Sequence, residues 1–410
     1  MNFSMENGVF TVSLTAVATF ALALLVLLLG QKIKDRSVFL QKYCIPAPVV
    51  GGVLFALLNL LLHQTGWMAI SMNTTYQSDM QNMFFTCIGF TVTASLLKKG
   101  GKRLVMYIIM GTILAVLQGV FGVLVAKGIG AEEWLGLMCG PATLSGGHGN
   151  AVAYGEILDN LGHSGTVVGV ASATFGLVTG AFFGGPLAER LIRRNHLSHI
   201  TNKNEDRMAD QFLQEESSSK EPVTGHAIFS HVALVASLVV FGQLTKLAAK
   251  QFLNVTIIEY AGAAMLACVL ANINEKKNIF RINQHIIDGI SEFTLGVFLS
   301  MAMMSLKLWE LAGLALPMVI ILLAELIMTL LYIYFAVFRA CGKDYDAAVM
   351  CAGMTGHGLG ASPAGIANMD SVTSKFGESK ISYLCVAVFG GILVDWVLIF
   401  INTTMVNLFA

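Results

Sequence analysis

Apolar residues along this 410-residue chain fall in long unbroken runs, not at the alternating period of a half-buried strand. About 20 apolar residues at 1.5 Å each span the roughly 30 Å hydrocarbon core of a bilayer. The pattern predicts ten membrane helices, at 12–30, 46–62, 83–97, 104–126, 166–189, 229–245, 257–272, 289–306, 314–338 and 382–407. Two stretches, 135–160 and 345–368, are too rich in Gly and polar residues to be plain helices. Their treatment decides the fold.

Composition agrees with the pattern: 55% of residues are hydrophobic and 12% are Asp, Glu, Lys or Arg, about half the charged fraction of a soluble domain. Twenty-five basic residues balance 25 acidic ones, which leaves no basic excess to hold a nucleic acid. The seven cysteines are scattered, mostly within apolar runs, and read as small core residues rather than a disulfide or metal framework. The chain opens with MNFSMENGVF, without a basic leader, so the run from Val12 to Leu29 reads as a membrane helix rather than a cleaved peptide.

Basic residues are retained on the cytoplasmic side of membranes. Alternating the ten spans puts 21 of the 25 Lys and Arg in one set of loops and leaves Lys127, Lys246, Lys250 and Lys307 in the other. That bias survives only if 135–160 and 345–368 each return to the side they came from. The first is then expected to enter from outside and the second from the cytoplasm, with both termini outside.

An internal repeat points the same way. Ala94-Ser95-Leu96 aligns with Met304-Ser305-Leu306, Met138-Cys139 with Met350-Cys351, and Gly147-His148-Gly149 with Gly356-His357-Gly358, all at nearly one offset. The expected fold is an all-α polytopic membrane protein of two inverted-topology repeats, each with five transmembrane helices and a re-entrant hairpin. Residues 1–190 form the first repeat with hairpin 135–160, and residues 191–228 a polar cytoplasmic linker. Residues 229–410 form the second repeat with hairpin 345–368. In secondary transporters of this plan the binding site forms near the midplane, where the repeats meet.

The hairpin tips read Pro141-Ala142-Thr143-Leu144-Ser145-Gly146-Gly147-His148-Gly149-Asn150 and Met354-Thr355-Gly356-His357-Gly358-Leu359-Gly360-Ala361-Ser362-Pro363. Broken helices at membrane depth offer N-terminal dipoles to carboxylates and freed carbonyls to a small cation. The substrate-binding candidates are Ser145, Gly146, Gly147, His148, Gly149, Asn150, Gly356, His357, Gly358, Gly360 and Ser362. The sodium candidates are Thr143, Ser145, Thr355 and Asp395. The competing reading is that the glycines only permit close helix packing and the histidines are structural hydrogen-bonders. Asp395 and Glu325 fall inside predicted spans, where a carboxylate is costly and marks function by default. Asp395 is weighed equally against a carboxylate paired with a neighbouring helix, and Glu325 ranks below it.

At these residues the sequence resembles the bacterial sodium/glutamate symporter family. The carriers are Ile45 through Gly52, Thr143 through Gly149, Ala173 through Val178, Met301 through Leu311, Lys343 through Val349, Gly358 through Pro363 and Ile366 through Met369. The resemblance implies an inner-membrane carrier, not an enzyme, with L-glutamate as substrate, Na⁺ as coupling ion and no organic cofactor. It also implies a homodimer in the lipid bilayer and elevator-like movement of the hairpins. Glutamate carries one negative charge against an inside-negative potential, so at least two Na⁺ are expected per cycle. The alternative within transport is a carrier or exporter of another amino acid or small carboxylate. An intramembrane aspartyl protease would need a second aspartate in a Gly-x-Gly-Asp context, which does not occur beside Tyr345-Asp346. A passive channel is the third alternative.

Overall fold

The computed structural model describes residues 2–6, 9–42, 45–66, 68–91, 101–197, 224–248, 251, 259–277, 282–306, 308, 313–360 and 362–409. Most of the linker expected at 191–228, and the end of the span expected at 83–97, lie outside the described residues. The helices that build the fold are α1 (Ala16–Arg36), α2 (Ala47–Gln64), α3 (Thr75–Thr91), α4 (Gly101–Gly128), α5 (Glu133–Met138), α6 (Gly147–Asp159) and α7 (Gly165–Arg194). They continue with α8 (Gly225–Ala248), α9 (Glu259–Lys277), α10 (Gln284–Met304), α11 (Ala315–Tyr332), α12 (Tyr345–Leu359), α13 (Ser362–Phe376), α14 (Lys380–Val388) and α15 (Val394–Phe409).

The all-α expectation needs one amendment. A small sheet of order β1-β2-β3 pairs Asn2–Glu6 antiparallel with Val9–Ser13, and Val9–Ser13 parallel with Met68–Ser71. The first helix therefore begins at Ala16 rather than at Val12. The Thr15 side chain accepts from the Ala18 amide at 3.3 Å, and Lys34 and Arg36 sit in the last turn, where they favour the negative end of the helix dipole.

Among the described residues, six helices are long and apolar enough to cross a membrane by length and composition: α1, α4, α7, α8, α10 and the run Ala315–Ala340. The last of these contains a π-helical turn at Ile333–Val337. Ala47–Leu62 and Val394–Phe409 are apolar but shorter. The helix expected over 382–407 is divided, α14 passing through a second π-helical turn at Phe389–Leu393 into α15.

The helices pack into two groups. In the first, α1 lies on α2, α2 and α3 lie on α10, and α8 and α3 lie on α9. In the second, α4 holds α5, α11 and α15, while α7 packs against α6, α12 and α13. The groups meet chiefly where α10 touches α6 and α15 touches α3. Each draws three or more helices from either half of the chain, and the element order recurs at displacements of 209 to 215 residues from α1/α8 to α7/α14.

The seam between the groups is apolar and built from small or smooth side chains. Val49, Ala56, Phe298, Leu299 and Ala302 of the first group pack with Val152, Val167, Val170 and Ala364 of the second. Farther along, Tyr260 stacks on Phe85 with ring centroids 4.2 Å apart and meets Tyr154 of the second group edge-on at 6.4 Å. Such a seam gains from burial without committing many directional bonds.

Candidate functional site

Both segments singled out in the sequence are breaks in helices, and both lie in the second group. The first runs from α5 through hydrogen-bonded turns, closed by Leu144 N–H to Gly140 O and Gly147 N–H to Thr143 O, and then changes direction at Gly147. Gly147 has φ +61°, a left-handed conformation that costs glycine nothing and most other residues about 1 kcal/mol or more. The N-terminus of α6 thus opens at the break, and Gly146 supplies no side-chain cap to its amides. The second segment is a pair of 15-residue helices, α12 and α13, packed on each other along Gly353, Gly356 and Gly365 and joined at Gly360. It extends to Phe376, past the 368 expected.

The two breaks touch. A Cβ placed on Gly147 would lie 3.0 Å from Gly360 O, and Ser145 Oγ is 3.3 Å from Gly358 O. Behind them, α7 passes so close that a Cβ on Gly176 would overlap the Leu359 carbonyl, so only glycine fits there.

Gln118 of α4 ties the breaks together. Its Nε2 donates to Gly358 O at 2.8 Å and to Thr329 Oγ1 at 3.2 Å, while its Oε1 accepts from Ser145 Oγ at 2.7 Å. Gln118 and Thr329 are fully buried, so each of these bonds is insulated from water. Neither residue stands out in the sequence beyond being polar in an apolar run.

The remaining candidates divide by partner. Asn150 Nδ2 bridges from Gly146 O at 3.1 Å to Asp395 Oδ1 at 2.8 Å, which puts the Asp395 carboxylate beside the first break. Ser362 Oγ donates to Gly390 O in the π-helical turn, just before Asp395. His357 Nε2 lies 2.7 Å from Tyr107 Oη, and its Nδ1 has no hydrogen-bond partner among the described residues. His148 Nε2 lies 3.0 Å from Thr174 Oγ1. Thr143 and Thr355 turn their hydroxyl protons back onto their own segments, to Met138 O at 3.0 Å and Cys351 O at 2.8 Å. Gly149 faces the seam, where an added Cβ would touch Phe84, Leu295 and Phe298, and Gly356 serves the packing of α12 on α13.

The structure therefore brings together Ser145, Gly146, Gly147, Gly358 and Gly360, with Asn150 and Asp395 alongside, and sets His148 and Thr355 in separate contacts. Glu325, one turn before Thr329 on α11, is fully buried, and neither carboxylate oxygen has a hydrogen-bond partner among the described residues. Among those residues no group of three or more His, Cys, Asp or Glu is poised to hold a metal ion.

On the side where α6 turns into α7, a polar cavity of about 650 Å³ opens between the two groups. Gln77, Glu156, Asp159, Thr166 and Ser305 line it, with Gln77 Nε2 donating to Glu156 Oε1.

Broken helices meeting inside a bundle of apolar spans define a multi-pass membrane protein built around a central polar break. Residues 12–378 match the sodium/glutamate symporter family, and the chain belongs to that family. It is 34% identical over 404 residues to the sodium/glutamate symporter of Escherichia coli strain K12, covering 97% of each chain. It is 35% identical over 399 residues to the one from Haemophilus influenzae, covering 96% of this chain and 98% of that protein. A solved sodium proton antiporter, MjNhaP1 from Methanocaldococcus jannaschii, aligns over 96% of this chain and 98% of its own at 14% identity and a TM-score of 0.33, too loose to define a shared fold.

Proposed function

We propose that this protein is a secondary carrier that takes up L-glutamate with Na⁺ across the bacterial inner membrane, binding both where the two helix breaks touch. The observation that carries the reading is the contact of Ser145 and Gly147 with Gly358 and Gly360, held by Gln118. The open N-terminus of α6 offers backbone amides to a substrate carboxylate. Asp395, beside the carbonyl of Gly146, offers an oxygen site to a cation that arrives with the anion. Neither group suffices alone: the anion brings its own charge to a site already holding a carboxylate, so cation binding favours anion binding and the reverse.

Two or more Na⁺ accompany each glutamate. With one, the complex is neutral and the membrane potential does no work; with two it carries one positive charge and gains about 2.3 kcal/mol per 100 mV. The two halves are inverted repeats, and the breaks are re-entrant hairpins approaching from opposite faces. The second packing group moves as a body along the apolar seam, and the first stays fixed and forms a homodimer contact. The apolar seam and the recurrence of the element order support this arrangement.

The test is uptake of labelled glutamate into proteoliposomes. A gradient of Na⁺ drives accumulation, and replacement by K⁺ or choline abolishes it. Competition with aspartate, glutamine, citrate and 2-oxoglutarate separates glutamate from other carboxylates, and Na⁺-independent accumulation overturns the proposal.

A further inference from the structure

The outer surface of the moving group carries a groove with a basic mouth. Phe183, Pro186 and Leu187 of α7 face Leu331, Tyr334 and Phe335 across an apolar cleft of about 380 Å³. Leu331 and Phe335 are about half exposed and continue a stripe of exposed apolar residues along α11 that includes Leu323 and Ile327. The cleft runs through Arg190 into a wider cavity of about 560 Å³ bordered by Glu189, Arg193 and Arg194.

The charge at this mouth is unbalanced. Glu189 is taken by Arg193 at 2.8 Å and by Lys375 at 3.4 Å. Arg190, Arg194 and Arg339 have no carboxylate partner among the described residues. Arg194 Nη1 donates to Tyr334 Oη at 3.3 Å, and Arg339 lies over the Phe335 ring at 5.4 Å while donating to Phe335 O. Arg190 and Arg194 therefore border one end of a cleft whose floor is hydrocarbon, and Arg339 lies next to it over Phe335. They lie in the set of loops that the distribution of basic residues assigns to the cytoplasm, where the leaflet is anionic.

We propose that this groove binds one anionic phospholipid, with an acyl chain along Leu187, Leu331 and Phe335 and the phosphate at Arg190 and Arg194. Guanidinium forks match phosphate oxygens in pairs, which a zwitterionic headgroup with its own cation satisfies less well. Bound there, the lipid joins α7, against which both helix breaks pack at Gly176, to α11, which carries Thr329. It is thus part of the packing that holds the breaks in place. The site depends on the membrane placement and not on which cargo is carried.

Native mass spectrometry of the purified full chain tests it, with phosphatidylglycerol or phosphatidylcholine of the same chains added. One phosphatidylglycerol should be retained under activation that strips phosphatidylcholine, and R190Q/R194Q should weaken retention on the order of tenfold. Leu331→Trp, which fills the cleft and leaves the arginines, should also displace the lipid; this second variant covers any misfolding of the double mutant. Equal retention of the two lipids by the wild-type protein, or unchanged retention in both variants, overturns the proposal. Full displacement by glycerol phosphate, which has no chains, would show a free-phosphate site and overturn it as well.

Discussion

Gln118 sits in a 28-residue helix of otherwise mostly apolar residues, and its amide is bonded to both helix breaks and to α11. Replacing it with Leu keeps the volume and removes three hydrogen bonds, leaving the buried Thr329 hydroxyl without its donor and the Ser145 hydroxyl and Gly358 carbonyl with only each other at 3.3 Å. A buried orphan costs about 1–3 kcal/mol. Q118L is expected to lower uptake about tenfold or more while still reaching the membrane, read as transport against the amount inserted. Asp395→Asn removes the charge beside Gly146 and leaves the shape. Its half-saturating Na⁺ concentration should rise about tenfold or more, with the glutamate dependence recovering at high Na⁺. Asp395 was legible in the sequence because a carboxylate inside a span is expensive and therefore conspicuous. Gln118 was not, because a neutral amide in an apolar helix has many structural uses and nothing local tells which neighbour it reaches.

At the scale of single elements, the two breaks were visible as dense Gly, Ser and His within otherwise apolar chain, and their centres at Gly147 and Gly360 fall within the expected segments. Their boundaries were not. Residues 369–376 continue α13 although they read as polar loop, since the helix is held by the packing of Asn368 on Gly180 and Ala352 rather than by its own hydropathy. The π-helical turn at Phe389–Leu393 had no sequence signal either, as Phe-Gly-Gly-Ile-Leu is compatible with an unbroken span. It matters because it supplies the Gly390 carbonyl to Ser362. Gly176→Ala would drive a methyl into the Leu359 carbonyl between α7 and α12. It should cost several kcal/mol, lower the melting temperature and abolish uptake. Gly289→Ala, which meets nothing within 4 Å on α10, should leave uptake intact and slightly stabilise its helix. Intrinsic fluorescence melting of both variants checks the contrast.

For the whole molecule, length and composition were enough to read a multi-pass membrane protein, because hydrocarbon admits few alternatives. The division into two packing groups was not readable, since it depends on which apolar faces meet, and each group takes helices from both halves of the chain. A carrier that slides along the seam between Ala302 and Val167 is stopped by tethering its two sides. With the native cysteines replaced, Ala302→Cys and Val167→Cys bridged by a short thiol-reactive linker should lose uptake, while either single variant treated alike should keep it. The most direct measurement is labelling of single cysteines placed at Ser145 and at Ser362, with and without cargo. Glutamate and Na⁺ together should protect both positions from a membrane-permeant maleimide, and either one alone should protect them poorly. Labelling at both positions that is indifferent to glutamate and Na⁺ would contradict binding at the two breaks.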